Sequence, residues 1–417
     1  MTVQTLAIDG GPKAVTDTLP SFLTAEGRTF DGEEEDLVLE ALRSGCLSRN
    51  GGRMVKGLEQ DFAAAIGVKH AVACSSGTAS VHLAVAALDL EPGDEVIVPP
   101  ITDIGTILPV LWQNAIPVFA DVDPLTLVLD PAEVEKNITS RTKAIIAVHL
   151  AGMPCPMDEL REIAARHRIV LIEDCSQAFW AEYRGALVGS MGDMACFSLQ
   201  QSKHMTCGEG GLMVTSNDAY AQRALLFSDK AWPRDSGALG SWRFLFLSQN
   251  YRMNELSGAV AWAQLKKVAD AVQRRRLTAD ALTGKISGLK GVSAPLVPSG
   301  LNPAYWLYML RIDAASGTDA KTFGDALIAE GVPAWAQYIV DPLYLSPIFA
   351  EKRTYGSSGY PFTAFASQEF VPGLCPNAEA ALRSCIAIHW NENYSSRNVE
   401  QIAAAINKVA AYFASKS

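Results

Sequence analysis

Residues 194–211 read MACFSLQQSKHMTCGEGG, and residues 169–179 read IVLIEDCSQAF. Each opens as a short apolar run of strand type and closes in polar residues, the pattern of a buried strand whose following loop carries side chains off the end of a sheet. The first run delivers Lys203 beyond its strand, and the second presents Asp174. A lysine held at the edge of a low-dielectric core gives up its proton more readily than one in water, and a neutral amine forms Schiff bases with carbonyl groups. An aspartate can keep a pyridinium nitrogen protonated. An imine-forming amine and an acid partner for a ring nitrogen are what pyridoxal phosphate requires of a protein, so the pair predicts a site for that cofactor. Alone, either residue also reads as a solvated surface charge or a turn-forming carboxylate, and the surrounding sequence has to decide.

Outward from these stretches, apolar runs at 71–74 (AVAC), 94–100 (DEVIVPP), 116–122 (IPVFADV), 144–150 (AIIAVHL), 169–174, 195–199 and 211–216 alternate with helical segments. This alternation predicts an α/β fold with a mostly parallel seven-stranded sheet covered by helices on both faces. Ligands of such sheets collect at the carboxyl ends of the strands, where Asp174 and Lys203 fall. Residues 1–50 read as an N-terminal arm containing a helix that stops at Gly45. Residues 51–284 read as the large α/β domain, leaving through a long helical pattern at 248–282, and residues 285–417 as a smaller C-terminal α+β domain.

The chain has 417 residues, 49% of them hydrophobic, enough for a large core. A net charge of −10 and a pI near 5.2 argue against nucleic acid and anionic membrane surfaces and for small-molecule ligands. The eight cysteines are scattered without a CxxC pair and read as reduced, buried residues. With no leader pattern and no membrane-length apolar run, the expected compartment is the cytoplasm.

SSGTASVHLAVAAL, starting at Ser75, follows one strand and opens a helix. Backbone N–H groups at Gly77, Thr78 and Ala79 would sit at a helix N-terminus, as a phosphate cradle or an ordinary cap. Ser198 would add a hydroxyl or bond to the backbone. Gln177 either reaches a cofactor ring oxygen or satisfies a loop. His149 reads as a residue over a cofactor face or as a core histidine, and His204 as a neighbour of Lys203 pointing the other way. No GxGxxG, GxxxxGK[ST] or GxSxG occurs, so dinucleotide, P-loop and hydrolase readings lack their main support.

The ordered segments GCLSRNGGRMVKGLEQDFAAAIGVKHAVACSSGTAS, GDEVIVPP, VHLAG, IEDCSQA, GDMACFSLQQSKHMTCGEGG, NYRMNELSGA and CPNAE span nearly the whole chain. In order and spacing they resemble the DegT/DnrJ/StrS family of pyridoxal-phosphate-dependent sugar aminotransferases. That resemblance implies a fold-type-I transferase working as a homodimer with shared active sites. It implies that Lys203 anchors the cofactor, that Asp174 pairs with the pyridine nitrogen and that Gln177 lies near the phenolic oxygen. Gly77, Thr78 and Ser198 would hold the phosphate, with Asn250 reaching in from the other subunit.

The implied reaction is ping-pong transfer of an amino group from glutamate or glutamine to a keto sugar or keto cyclitol, the cofactor alternating with pyridoxamine phosphate. IDGGPK and SLQQSK…TCGEGG look most similar to cyclitol aminotransferases and 3-amino-5-hydroxybenzoate synthases. Two rival readings keep the cofactor: a sugar dehydratase, which in this family carries histidine where Lys203 stands, and a non-catalytic regulatory homologue. Three positions depart from the family pattern. Asp103 stands where an aromatic residue usually stacks on the cofactor, Trp180 stands where glycine is common, and His389–Trp390 replaces a proline-containing segment. Trp180 would fill part of the sugar pocket or pack elsewhere. Arg53, Lys56, Arg243 and Arg252 are candidates for a nucleotide diphosphate or ordinary surface and dimer-contact charges.

Overall fold

A computed structural model describes residues 4–234 and 243–416. The seven apolar runs form β1 (His70–Cys74), β2 (Glu95–Val98), β3 (Ile116–Phe119), β4 (Thr142–Val148), β5 (Val170–Asp174), β6 (Met194–Ser198) and β7 (Gly211–Thr215). They make one sheet in the order β1-β7-β6-β5-β4-β2-β3. Every pairing from β6 through β5, β4 and β2 to β3 is parallel, and β7 alone runs antiparallel, between β1 and β6. The strands are buried along almost their whole length, which is why they read as unbroken apolar runs rather than alternating ones. β2 ends at Val98 because Pro99 and Pro100 carry no N–H for the ladder.

Helices flank the sheet. α1 (Gly32–Ser44) opens on an Asp31 capping box and stops at Gly45, whose left-handed φ of 69° suits glycine. α2 (Met54–Ile66) packs Leu58 and Phe62 against Phe179 and Phe197. α3 (Gly77–Ala87) is buried almost all round and follows β1 directly. The helical pattern at 248–282 resolves into α4 (Glu255–Leu265) and α5 (Val268–Ile286), interrupted at Lys266 and Lys267. Residues 250 and 252 lie ahead of α4 in isolated bridges to Asp229 and Cys74.

A second core forms on a four-stranded antiparallel sheet of β8 (Val292–Ser293), β9 (Leu307–Ile312), β10 (Ala334–Trp335) and β11 (Cys385–His389), in the order β8-β9-β11-β10. α6 (Ala320–Ala329) and the amphipathic α7 (Ser396–Ala414) cover it. Leu6 and Val15 join this core, so the first described residues pack beside the last helix. Among the described residues no helix is long and apolar enough to cross a membrane.

Candidate active site

β5 ends on Asp174, whose carboxylate is 4% exposed and fully held. Its Oδ2 accepts from Thr106 Oγ1 at 2.8 Å, and its Oδ1 accepts from the Ser176 N–H at 3.0 Å. Lys203 stands in the irregular loop between β6 and β7, its own N–H donating to the Gln200 carbonyl at 2.9 Å. Burial pushes the Lys203 ammonium down to about 8, against the opposing pull of Asp103 and Asp174. Its Nζ lies 3.9 Å from the centroid of the Trp306 ring. At physiological pH a substantial minority of the amine is therefore neutral, far more than of a solvated lysine, and the neutral form is the nucleophile.

The start of α3 faces the same space. Ser76 Oγ accepts from the Ala79 N–H at 3.0 Å, so the cap is supplied by Ser76 and the amides at Gly77 and Thr78 belong to the group that a helix leaves without intrahelical acceptors. A Cβ on Gly77 would stand 2.6 Å from Ser198 Cβ and 2.8 Å from its Oγ. Only glycine lets the helix start approach the end of β6 this closely, which brings the helix N-terminus and the Ser198 hydroxyl to one place. A helix N-terminus beside a hydroxyl suits a phosphate, and the nearby amine and buried carboxylate suit the imine-forming and ring-nitrogen ends of pyridoxal phosphate.

Gly77, Thr78, Asp174, Gln177, Ser198 and Lys203 all line one cavity of about 470 Å³ at the carboxyl ends of the strands. Gln177 is oriented by the Ala151 N–H, which donates to its Oε1 at 2.7 Å, and by Tyr338, whose hydroxyl accepts from its Nε2 at 3.2 Å. A larger groove of about 840 Å³, lined by Asp158, Arg161 and Arg168, contains none of these residues. Asn250 is not brought to the cavity within one chain; it is exposed and pairs with Asp229.

Both histidine alternatives resolve toward structural roles. His149 is fully buried, its Nε2 3.0 Å from Glu173 Oε2 and its Nδ1 accepting from the Cys155 N–H at 2.9 Å. The Glu173 carboxylate also accepts from the N–H groups of Gly189, Met191 and Gly192. His149, Glu173 and Cys175 are the one cluster with metal-ligand spacing among the described residues, yet the imidazole and carboxylate already have partners. His204 turns away from the cavity, its Nε2 3.0 Å from the Ala304 carbonyl, and burial holds it neutral. Trp180 packs edge-on against Phe62 at 6.1 Å rather than filling the cavity.

Asp103 does line the cavity, its Oδ1 accepting from the Gly105 N–H at 2.7 Å. None of Arg53, Lys56, Arg243 and Arg252 lines it in this chain. Arg53 pairs with Glu40 and Arg252 with Asp229, while Lys56 and Arg243 are exposed.

Part of the lining is aromatic, and most of it lies outside the motifs. Phe22, Trp306, Trp335, His389 and Trp390 also line the cavity. His389 sits edge-on to Trp335 at 4.2 Å and 5.9 Å from Phe22. Trp306 immediately precedes β9, so its run reads as a strand and conceals its place at the site. No pattern in the sequence joins positions 22, 306, 335 and 389, because they meet only in space.

Known proteins repeat this arrangement of chain. Residues 28–407 match the model of the DegT/DnrJ/EryC1/StrS aminotransferase family. A GDP-perosamine synthase of Caulobacter vibrioides is 37% identical over 339 residues, covering 81% of this chain and 89% of the relative. An L-glutamine:2-deoxy-scyllo-inosose aminotransferase of Streptoalloteichus tenebrarius is 36% identical over 363 residues, covering 83% of each. The crystal structure of a 3-amino-5-hydroxybenzoic acid synthase superposes with a TM-score of 0.83 at 28% identity, covering 96% of this chain and 100% of the other. The fold-type-I architecture expected from the motifs is the one present, and the chain belongs to the DegT/DnrJ/EryC1/StrS aminotransferase family.

Proposed function

We propose that this aminotransferase depends on pyridoxal phosphate and moves an amino group from glutamate or glutamine to a keto sugar or keto cyclitol, in active sites shared across a homodimer. The observation that carries the reading is the convergence of a desolvated Lys203, a doubly held Asp174 and the start of α3 on one cavity. Bound there, the cofactor would supply an electron sink. Lys203 anchors it and, once displaced, carries a proton at Nζ to and from the donor Cα. Asp174 holds the ring-nitrogen proton, with Thr106 and Ser176 fixing the carboxylate. The amides of Gly77 and Thr78 and the Ser198 hydroxyl bind the phosphate, Gln177 orients the phenolic edge, and Asn250 is supplied by the second subunit. The aromatic wall excludes water from the reacting atoms.

The relatives divide between GDP-perosamine synthases and L-glutamine:inosose aminotransferases, so the reading keeps both donors and both acceptor classes. The chain divides in this reading into an arm (1–50), a cofactor-binding domain (51–284) and a small domain (285–417), and works in the cytoplasm. A dehydratase is disfavoured because Lys203 occupies the position at issue, while His204 faces Ala304.

The test is the absorbance of purified protein with pyridoxal phosphate, followed by L-glutamate and L-glutamine in separate additions, with Lys203→Ala as control. The expected result is a yellow band that bleaches with one donor and is missing from the variant. A band that neither donor bleaches overturns the transfer reaction, and no band overturns the cofactor.

A further inference from the structure

The loop that bears Lys203 has neither helix nor strand geometry, so its carbonyls depend on groups from elsewhere. Three consecutive ones are taken by side chains. The Gln201 carbonyl accepts from Arg28 Nη2, the Ser202 carbonyl from Trp306 Nε1 at 3.0 Å, and the Lys203 carbonyl from Arg28 Nη1 at 2.8 Å. One guanidinium thus spans the residue that carries the amine, while Gln201 Nε2 donates back to the Phe22 carbonyl at 2.7 Å.

Arg28 is itself braced from the far end of the chain. It is 7% exposed, with Nη1 3.6 Å from Glu392 Oε1. Glu392 Oε2 accepts from Arg275 at 2.6 Å, and Arg275 Nη1 donates to the Trp390 carbonyl at 2.7 Å. Asn391 and Asn393 donate to the carbonyls of Gly27 and Glu26, stitching the Arg28 segment to the end of β11. The buried Arg28 Nε has no partner, which costs stability. The guanidinium is aimed to suit the carbonyls of the lysine loop rather than its own full satisfaction.

We infer that Arg28 is a positioning residue for amino transfer, holding the backbone of Lys203 in place through the carbonyls of residues 201 and 203. This rests on the proposed role of Lys203. In that role the amine must leave the cofactor, move a proton and return to the same atom, and its side chain has four flexible carbons. Fixing the backbone end keeps the excursion short, and displacements near 1 Å cost on the order of 10²-fold in rate.

Arg28→Ala and Arg28→Lys test the inference, with Asn393→Ala as a variant that loosens the stitching without touching Arg28. In cofactor-free protein, the pH dependence of Lys203 acylation by acetic anhydride is followed by peptide mass spectrometry. In loaded protein, a single donor half-reaction is timed per folded molecule.

For Arg28→Ala the expected results are a reactivity midpoint raised from about 8 toward the ordinary lysine value, as water enters the loop, and a half-reaction roughly 10- to 100-fold slower. Added guanidinium should restore part of both. If Arg28→Ala does not fold, Arg28→Lys carries the test: an ammonium has all its donors on one nitrogen and lacks the planar fork by which Nη1 and Nη2 reach separate carbonyls, so both readouts should move the same way by less. Asn393→Ala should leave the midpoint unchanged. An unchanged midpoint and rate in the foldable Arg28 variant would overturn the inference alone, whereas a wild-type protein in which Lys203 never captures pyridoxal phosphate would overturn the functional reading beneath it.

Discussion

The two walls of the cavity are built in opposite ways. The strand-end wall is polar and comes from the carboxyl ends of four strands and the loops after them: Gly77 and Thr78 after β1, Thr106 in the turn beyond β2, Asp174 on β5, and Ser198 and Lys203 at and after β6. The sheet register fixes Asp174 and Ser198, whereas the loop carrying Lys203 is held from outside the sheet. The aromatic wall comes from residues 22, 306, 335, 389 and 390, all contributed by segments outside the seven-stranded sheet. In the proposed reaction the polar wall holds the cofactor and the aromatic wall faces the acceptor. Changes to the first should therefore affect every half-reaction, and changes to the second, apart from Trp306 whose ring contacts Lys203, should affect mainly the choice of acceptor.

The largest effect should follow loss of Lys203. Lys203→Met is expected to lower amino transfer at least about 10³-fold, checked by rapid-mixing absorbance with the preferred donor. The same variant reports on the cost of burying the amine. Because the folded protein releases this proton near pH 8 instead of 10.5, the unfolded chain binds more protons between those values. The cofactor-free wild type should accordingly gain stability relative to Lys203→Met as pH rises from about 8 to 10.5, read as the difference between their thermal melts, because buried cysteines whose thiols burial pushes up act oppositely and equally in both proteins. A difference between the two proteins that does not change with pH would contradict the desolvation assigned to Lys203.

Asp174→Asn comes next, with a fall of about 10²- to 10³-fold in both half-reactions, since the amide fills the same space between Thr106 and Ser176 but carries no charge to hold a ring-nitrogen proton. Gly77→Ala should then weaken pyridoxal phosphate binding about 10- to 100-fold in equilibrium dialysis, because its methyl group meets Ser198 at 2.6 Å. Tight binding in that variant would mean the start of α3 is not the phosphate site.

The smallest effect separates the walls most sharply. Trp335→Ala is expected to raise the acceptor KM about 5- to 10-fold while leaving the donor half-reaction near the wild-type rate. Equal loss in both half-reactions would show that the aromatic wall also positions the cofactor, and the distinction drawn here would fail.

Much of the polar wall was legible beforehand because the relevant residues sit at fixed offsets from buried strands. IVLIED and MACFSL read as strands, so Asp174 and Lys203 had to emerge at one edge of a parallel sheet. Thr106 carries no such signal, because nothing local distinguishes a threonine that braces a carboxylate from one in any short turn. Trp180 and His149 show the converse: their composition invites a site role, but Trp180 packs on Phe62 and His149 bonds Glu173 and Cys155. Asn250 lies apart from the cavity in this chain, exposed and bridged to Asp229, so its motif alone did not place it at the site.

By itself the sequence determined the seven-stranded α/β architecture and the chemistry available at its strand ends, since hydrophobic periodicity and short offsets are local properties of a chain. Only the tertiary structure decided which aromatic rings close the cavity, and that the lysine loop hangs on Arg28, a residue 175 positions away. Such partners are chosen by packing between distant segments, and no periodicity along the chain encodes which of many tryptophans or arginines will meet.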